Sequence, residues 1–101
     1  MKKLKTAKQM ERHLKGVANH YRIEVLFLVA AQPGITLEGI AKTLGVNEKT
    51  IGEHARRLFQ AGLIDKKYRA RFVEHKLSPY GKTFIRFLES FRRTPTTSQQ
   101  T

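Results

Sequence analysis

The stretch from Thr36 to Leu63, TLEGIAKTLGVNEKTIGEHARRLFQAGL, constrains the fold more than any other part of the chain. Leu37, Ile40, Ala41 and Leu44 recur at helical spacing, and so do Ile51, Ala55, Leu58 and Phe59. Between the two patterns stands Leu44-Gly45-Val46, with Gly45 where a left-handed residue closes a helix C-terminus. Thr36 and Asn47 each sit where a side-chain oxygen caps a helix start. Two short helices joined by so tight a turn leave the far face of the second one free. A helix that buries one side and shows small, polar and cationic groups on the other can enter a DNA major groove.

The formal net charge of +12 on 101 residues points to a polyanionic partner on independent grounds. The excess is unevenly placed. Met1 to Lys15 holds six Lys/Arg against Glu11 alone, and Asp65 to Lys76 holds five against Asp65 and Glu74. Single charges usually only solvate a surface, but two basic segments flanking such a helix pair favour a nucleic-acid footprint. The length allows one domain, and 40% hydrophobic residues are enough for a core. No apolar run reaches the roughly 18 residues of a membrane span. The basic N-terminus lacks the apolar centre of a secretory signal. Absence of cysteine excludes disulfides and thiolate metal sites and fits a cytoplasmic protein working at the nucleoid.

Outside the central stretch, Leu4, Ala7, Met10 or Glu11, Leu14 and Val17 predict an amphipathic first helix that Gly16 weakens or ends, with Lys2, Lys3, Lys5, Lys8 and Arg12 on its other face. Asn19 is a candidate cap for a second helix, Tyr21 to Ala31. Its run IEVLFLVAA has strand propensity, yet its length and cap favour a buried helix. Gln32-Pro33-Gly34 reads as a turn. From Ile64 the period changes: Ile64 to Tyr68 and Phe72 to Leu77 predict two antiparallel strands with a basic tip. Ser78-Pro79 is a helix start, serine as cap and proline at the first position, and Phe84, Phe87, Leu88 and Phe91 mark the stripe of a last helix ending near Arg93. The expectation is a mainly α domain over residues 1–93, about five helices plus a two-stranded hairpin, followed by a disordered tail over 94–101.

That order, helix, helix, helix, turn, helix, hairpin, helix, is the order of a winged helix-turn-helix. The residues resemble known families too. LKGVANHYRIEVLFLVA is similar to the leucine-alanine-asparagine-x-x-arginine opening of ArsR-like repressors. LEGIAKTLGVNEKTIGEHARRLFQAGLI resembles the helix-turn-helix of the ArsR and MarR groups, and KLSPYGKTF the leucine-serine/threonine-x-x-glycine join after the wing in the MarR group. The resemblance covers residues 14 to about 90. It implies a homodimeric DNA-binding regulator, with the second motif helix in the major groove and the hairpin on adjacent backbone or minor groove. Carried onto this chain, the DNA-facing positions are Asn47, Glu48, Lys49, Thr50, Gly52, Glu53, His54 and Arg56, with Lys66, Lys67, Arg69 and Arg71 on the wing; Thr36 and Arg57 are further DNA-binding candidates. Two departures matter. There is no cysteine for an ArsR-type metal site and no Asp or His in the last helix, and Gly52 and Glu53 stand where serine and arginine are frequent.

Each group has a sharp and a bland reading. Arginine can give two hydrogen bonds to guanine O6 and N7, worth about 1–3 kcal/mol of discrimination, or can only pair with phosphate; Arg57, near the helix end, suits the second. Thr50 can touch a thymine methyl or a phosphate. Glu53 either accepts from cytosine N4 or pairs with Arg56 or Arg57 along the helix. His54 can bond a base or phosphate and would make binding mildly pH-dependent. Gly52 costs the helix roughly 1 kcal/mol against alanine, which a close approach to DNA would offset. The wing arginines either enter a narrow minor groove or clamp phosphate.

Leu4, Ala7, Leu14, Phe84, Phe87, Leu88 and Phe91 are the candidate dimer interface, with the first helix packing on the last. The basic face of that first helix either flanks the duplex or only solvates the dimer. His13, His20, His54 and His75 lie on different elements, so neither a metal nor a cofactor is expected. Nor is a small-molecule ligand, and an enzyme is disfavoured by the lack of paired carboxylates, a nucleophile-base set or a phosphate-cradling loop. The expected partners are double-stranded DNA and a second copy of the chain. Two rival roles use the same fold: DNA organisation or plasmid partition with weak sequence preference, and protein or RNA contact.

Overall fold

Every helix in the chain starts from a side-chain oxygen that the sequence supplies. In the computed structural model, which describes residues 3–96, the elements run α1 (Ala7–Val17), α2 (His20–Ala31), β1 (Ile35–Thr36), α3 (Leu37–Leu44), α4 (Glu48–Gln60), β2 (Ile64–Arg69), β3 (Phe72–Leu77) and α5 (Pro79–Arg92). Thr6, Asn19, Thr36, Asn47 and Ser78 accept from amides of the first turns of α1 to α5 in order. Those amides have no partner inside their own helix, so the caps fix where each helix begins. At the other end of α3, Gly45 takes the left-handed conformation, φ 66°.

The core forms where α2, α3 and α4 meet. Val25, Leu26 and Val29 of α2 close on Ile40 and Ala41 of α3 and on Ile51, Ala55 and Leu58 of α4. Leu63 and Ile64, just past α4, are buried with them. Each such side chain withdrawn from water contributes about 1.5–3 kcal/mol. IEVLFLVAA is therefore helix, and its apolar run from Val25 to Ala30 reflects burial on several sides, with Glu24 exposed. β3 is the centre of a three-stranded antiparallel sheet ordered β1-β3-β2, with Ile35 opposite His75 and Ile64 opposite Leu77.

Several expectations need correction. The wing is part of a three-stranded sheet, because Ile35-Thr36 pairs with β3; two residues are too few to show a period. The first helix starts at Ala7, since Thr6 and Gln9 form a reciprocal capping box that ends the extended chain there. Leu4 therefore precedes the helix and is 92% exposed. Gly16 does not end α1, which runs on to Val17. A Cβ at Gly16 would stand 2.2 Å from the Cβ of Ala61, so the glycine lets α1 press against the exit of α4. α1 thus packs on α4 and α2 within the subunit. α2 begins one residue early, at His20, and β2 extends to Arg69. Phe59 is half-exposed and lies under the Lys66 ammonium, 5.4 Å from its ring centre. Of the expected tail, Thr94 to Thr96 lies outside any helix or strand, while residues 97–101 fall outside the described residues, as do Met1 and Lys2.

The leucine-serine-x-x-glycine join has a mechanical reason. Ser78 Oγ donates to the Gly62 carbonyl at 2.6 Å and accepts from the Gly81 amide at 2.9 Å, and the Ser78 amide donates to the Leu63 carbonyl. A Cβ at Gly81 would lie 1.9 Å from that same Leu63 oxygen. Only glycine allows α5 to start this close to the end of α4.

Candidate nucleic-acid interface

α4 is held by one face and offers the other. Ile51, Ala55 and Leu58, spaced by four and three, are sealed in the core, which turns Lys49, Glu53, Arg56, Arg57 and Gln60 to solvent. Asn47 caps the helix through Oδ1, accepting from Lys49 N at 2.7 Å and Thr50 N at 3.4 Å. Its side chain is committed to the backbone. Glu48 lies in the first turn, where a carboxylate complements the helix dipole. Thr50 is exposed beside them.

Within the subunit itself Glu53 pairs along the helix. It accepts from both Nε and Nη2 of Arg56 and lies 3.9 Å from Arg57 Nε. That bond holds the Glu53 carboxyl below its ordinary range, helped by the charges of Arg56, Arg57 and His54 and opposed by slight desolvation. The same bond raises Arg56 above its own ordinary value. All three groups are exposed, so water screens the pairing. Arg56 meets any ligand as one arm of an Arg–Glu unit.

His54 is placed differently from the rest. It sits at the edge of the free face, against α2, where its Nδ1 lies 3.3 Å from Arg22 Nη1 and its ring 5.6 Å from that of Tyr21. A guanidinium only donates, so Nδ1 accepts and the ring proton is on Nε2. Burial first, then the Arg22 charge, holds the imidazole below its ordinary value, with His20 and Arg57 adding and Glu53 opposing. His54 is thus a neutral donor. Arg22 is the residue that sequence reasoning missed. Its signal was there: it is the one Lys or Arg within HYRIEVLFLVAA.

Gly52 faces α3, and a Cβ there would meet only Leu37 Cδ2, at 3.8 Å. Thr36 is half-buried at the junction of β1 and α3, its hydroxyl accepting from Gly39 N at 3.1 Å. The wing splits its cations between two faces. Lys66 shares a face with the buried Ile64 and lies against α4; burial lowers its proton affinity and Arg56 adds to this. Lys67 and Arg69 are on the opposite face, where Arg69 Nε is 3.3 Å from Glu74 Oε2. Arg71 stands at the exposed tip beside Ala70, its guanidinium 5.4 Å above the Phe72 ring.

Among the candidate dimer residues, Phe84 and Leu88 are half-buried against the subunit's own core. Ala7, Leu14, Phe87 and Phe91 are exposed, and the last two rings stack at 5.9 Å and 11°. Among the described residues no group of three or more His, Asp or Glu could hold a metal ion, and no helix is long and apolar enough to cross a membrane.

The sequence model of the MarR family matches residues 19–69, from the cap of α2 through the first wing strand. The chain belongs to the MarR family. No curated protein sequence matches it. Solved structures share its fold. HlyU from Vibrio cholerae superposes with a TM-score of 0.78 at 21% identity, over 88% of this chain and 97% of HlyU. Mb0332 from Mycobacterium bovis, described as a homodimeric winged helix-turn-helix DNA-binding domain of a possible ArsR-family regulator, gives 0.72 at 24% identity, over 83% and 77%. MarR itself gives 0.70 at 21% identity, over 82% of this chain and 64% of MarR. The MarR resemblance read from the residues is met by the family model, and the winged-helix order by the solved structures. This MarR-family chain has the winged-helix fold of these structures.

Proposed function

We propose that the chain acts as a homodimer on an inverted-repeat operator, as a repressor, with α4 in the major groove and the hairpin on adjacent backbone or minor groove. One observation carries this reading: α4 exposes Lys49, Glu53, Arg56 and Arg57 on a helix whose other side is sealed by Ile51, Ala55 and Leu58. The Arg56–Glu53 unit is the base reader, arginine toward guanine and carboxylate toward a cytosine amino group. Lys49, Arg57 and the wing cations Lys67, Arg69 and Arg71 supply phosphate contacts. A second copy is supported by Phe87 and Phe91, 56% and 66% exposed as a stacked pair, with Leu14 exposed on α1. Two isologous copies place two α4 helices about 34 Å apart on one DNA face. Such a regulator works in the cytoplasm, on the nucleoid.

The test is selection of bound fragments from genomic DNA, followed by footprinting at 50 and 200 mM salt. A dyad-symmetric footprint is expected, with affinity falling on the order of 10³–10⁵-fold between the two salts if six to ten phosphates are neutralised. Arg56→Ala is expected to narrow the ratio of operator to random binding, whereas Arg71→Ala weakens both alike. A reporter under the selected operator should fall silent when the protein is supplied. Even coverage of random DNA would replace operator recognition with DNA organisation, and no duplex binding would reject the proposal.

A further inference from the structure

Arg22 is electrostatically out of place within the subunit. Arg56, Arg57, Arg69, Arg92 and Arg93 each pair with a carboxylate, and Arg12, Arg71 and Arg86 stand exposed to water. Arg22 is half-buried and, among the described residues, pairs with no carboxylate. Its Nε is buried with no partner, and its one side-chain hydrogen bond goes to the neutral His54. Burial and the neighbouring Arg57 charge both loosen its proton. A cation held this way weakens the free subunit unless an anion arrives from outside.

We propose that Arg22, together with Arg57 and the Nε2–H of His54, seats one backbone phosphate of duplex DNA at the α2 edge of α4. The inference rests on the DNA-binding reading and adds a contact from a helix outside the recognition motif and the wing. It also gives His54 its role. By donating to Nδ1, Arg22 fixes the ring proton on Nε2, so the imidazole offers a donor to an anionic oxygen without carrying a charge. An anion there would relieve the Arg22–Arg57 repulsion, which a base edge would not.

The experiment measures affinity against salt for one random-sequence duplex and for the selected operator, using wild type, Arg22→Gln and Arg22→Lys. Arg22→Gln should lower the slope of log affinity against log salt by about one on both duplexes, roughly an eightfold loss at 0.1 M salt. Its thermal midpoint should stay level or rise, because an uncompensated cation has been removed. Arg22→Lys should restore most of the slope. An unchanged slope in Arg22→Gln overturns the inference while leaving DNA binding intact. Failure of the wild type to bind either duplex overturns both. A fall in slope accompanied by a fall in midpoint, with neither recovered by lysine, assigns Arg22 to packing and also overturns it. Nitrogen-15 NMR of the free protein gives an independent arm: His54 protonated on Nδ1 would remove the geometry on which the seat depends.

Discussion

Replacing Gly52 with alanine separates two explanations of why a glycine stands inside the groove-facing helix. A glycine in a helix interior costs about 1 kcal/mol relative to alanine, through backbone entropy lost on folding. The structure shows no clash to set against this gain: the added methyl would meet Leu37 Cδ2 at 3.8 Å, ordinary van der Waals contact, and nothing else within 4 Å. Gly52→Ala should therefore stabilise the fold by about 1 kcal/mol, which raises the thermal midpoint by roughly 4–8 °C in a domain of this size. Urea titration followed by circular dichroism at pH 7 reads it as a higher midpoint at unchanged slope. Gly52 stands one turn from both Lys49 and Arg56 on the surface of α4, but its added methyl would lie against Leu37 of α3, so operator affinity should stay within about twofold unless DNA backbone comes equally close. A midpoint that fails to rise would refute the packing argument. A midpoint that rises while operator affinity collapses would show that DNA backbone, not α3, needs the missing side chain.

The other expectations concern the joints of the fold. Gly81→Ala should destabilise by roughly 3 kcal/mol, since its Cβ would meet the Leu63 carbonyl at 1.9 Å and backbone must move; a loss under about 1 kcal/mol in urea titration would mean that α5 can slide freely. Ala70, at φ 55° on the wing tip, occupies the left-handed region that glycine adopts at less cost. Ala70→Gly should accordingly gain about 0.5–1 kcal/mol, and a loss of stability in the same titration would deny that conformation. His75 is buried in the sheet with Nδ1 donating to the Ile35 carbonyl, and burial, with Lys66 adding, holds its proton affinity below the ordinary value against that bond and Glu38. The unfolded chain then takes up the proton first as pH falls, so stability is full above the ordinary imidazole range and declines as pH drops through it. Between about pH 7.5 and pH 5 the wild type should lose more of its urea midpoint than His75→Gln; equal losses would clear His75 of the effect.

Most of this fold was legible because its signals are local. A cap, a glycine closure or an i, i+4 apolar pair each acts over one turn of chain, and Asn19, Thr36, Gly45, Asn47 and Ser78 all stand where those rules place them. One misreading is local, the Thr6–Gln9 capping box that starts α1; the larger ones are non-local. β1 exists only because β3 passes beside Ile35 and Thr36, and Gly16 reads as a helix breaker until Ala61 is brought against it. Phe59 fits the period of its helix but is 48% exposed, with the Lys66 ammonium of β2 over its ring. The site divides along the same line. Spacing alone offers the Glu53–Arg56 pair as one of two possibilities, while the junction of Arg22 with His54 links residues 32 positions apart, and a lone arginine in an apolar helix does not name its partner.

The pose of α4 is fixed at its far end by α1 and α5, the helices that carry exposed Leu14, Phe87 and Phe91. Arg12 Nη2 donates to the Gln60 carbonyl at 2.8 Å and His13 Nδ1 to the Ala61 carbonyl at 2.6 Å, so α1 takes two carbonyls that the end of α4 leaves unpaired. Gly16 brings the same helix against the Ala61 methyl, and Ser78 with Gly81 ties the start of α5 to Gly62 and Leu63. These are hydrogen bonds and backbone contacts, which have short reach and steep distance dependence, unlike a flexible loop. In the proposed dimer, the spacing of two α4 helices is therefore set by how α1 and α5 meet their copies, and slack in that interface passes directly into the spacing. An operator whose half-sites are one helical turn apart requires a joint this stiff.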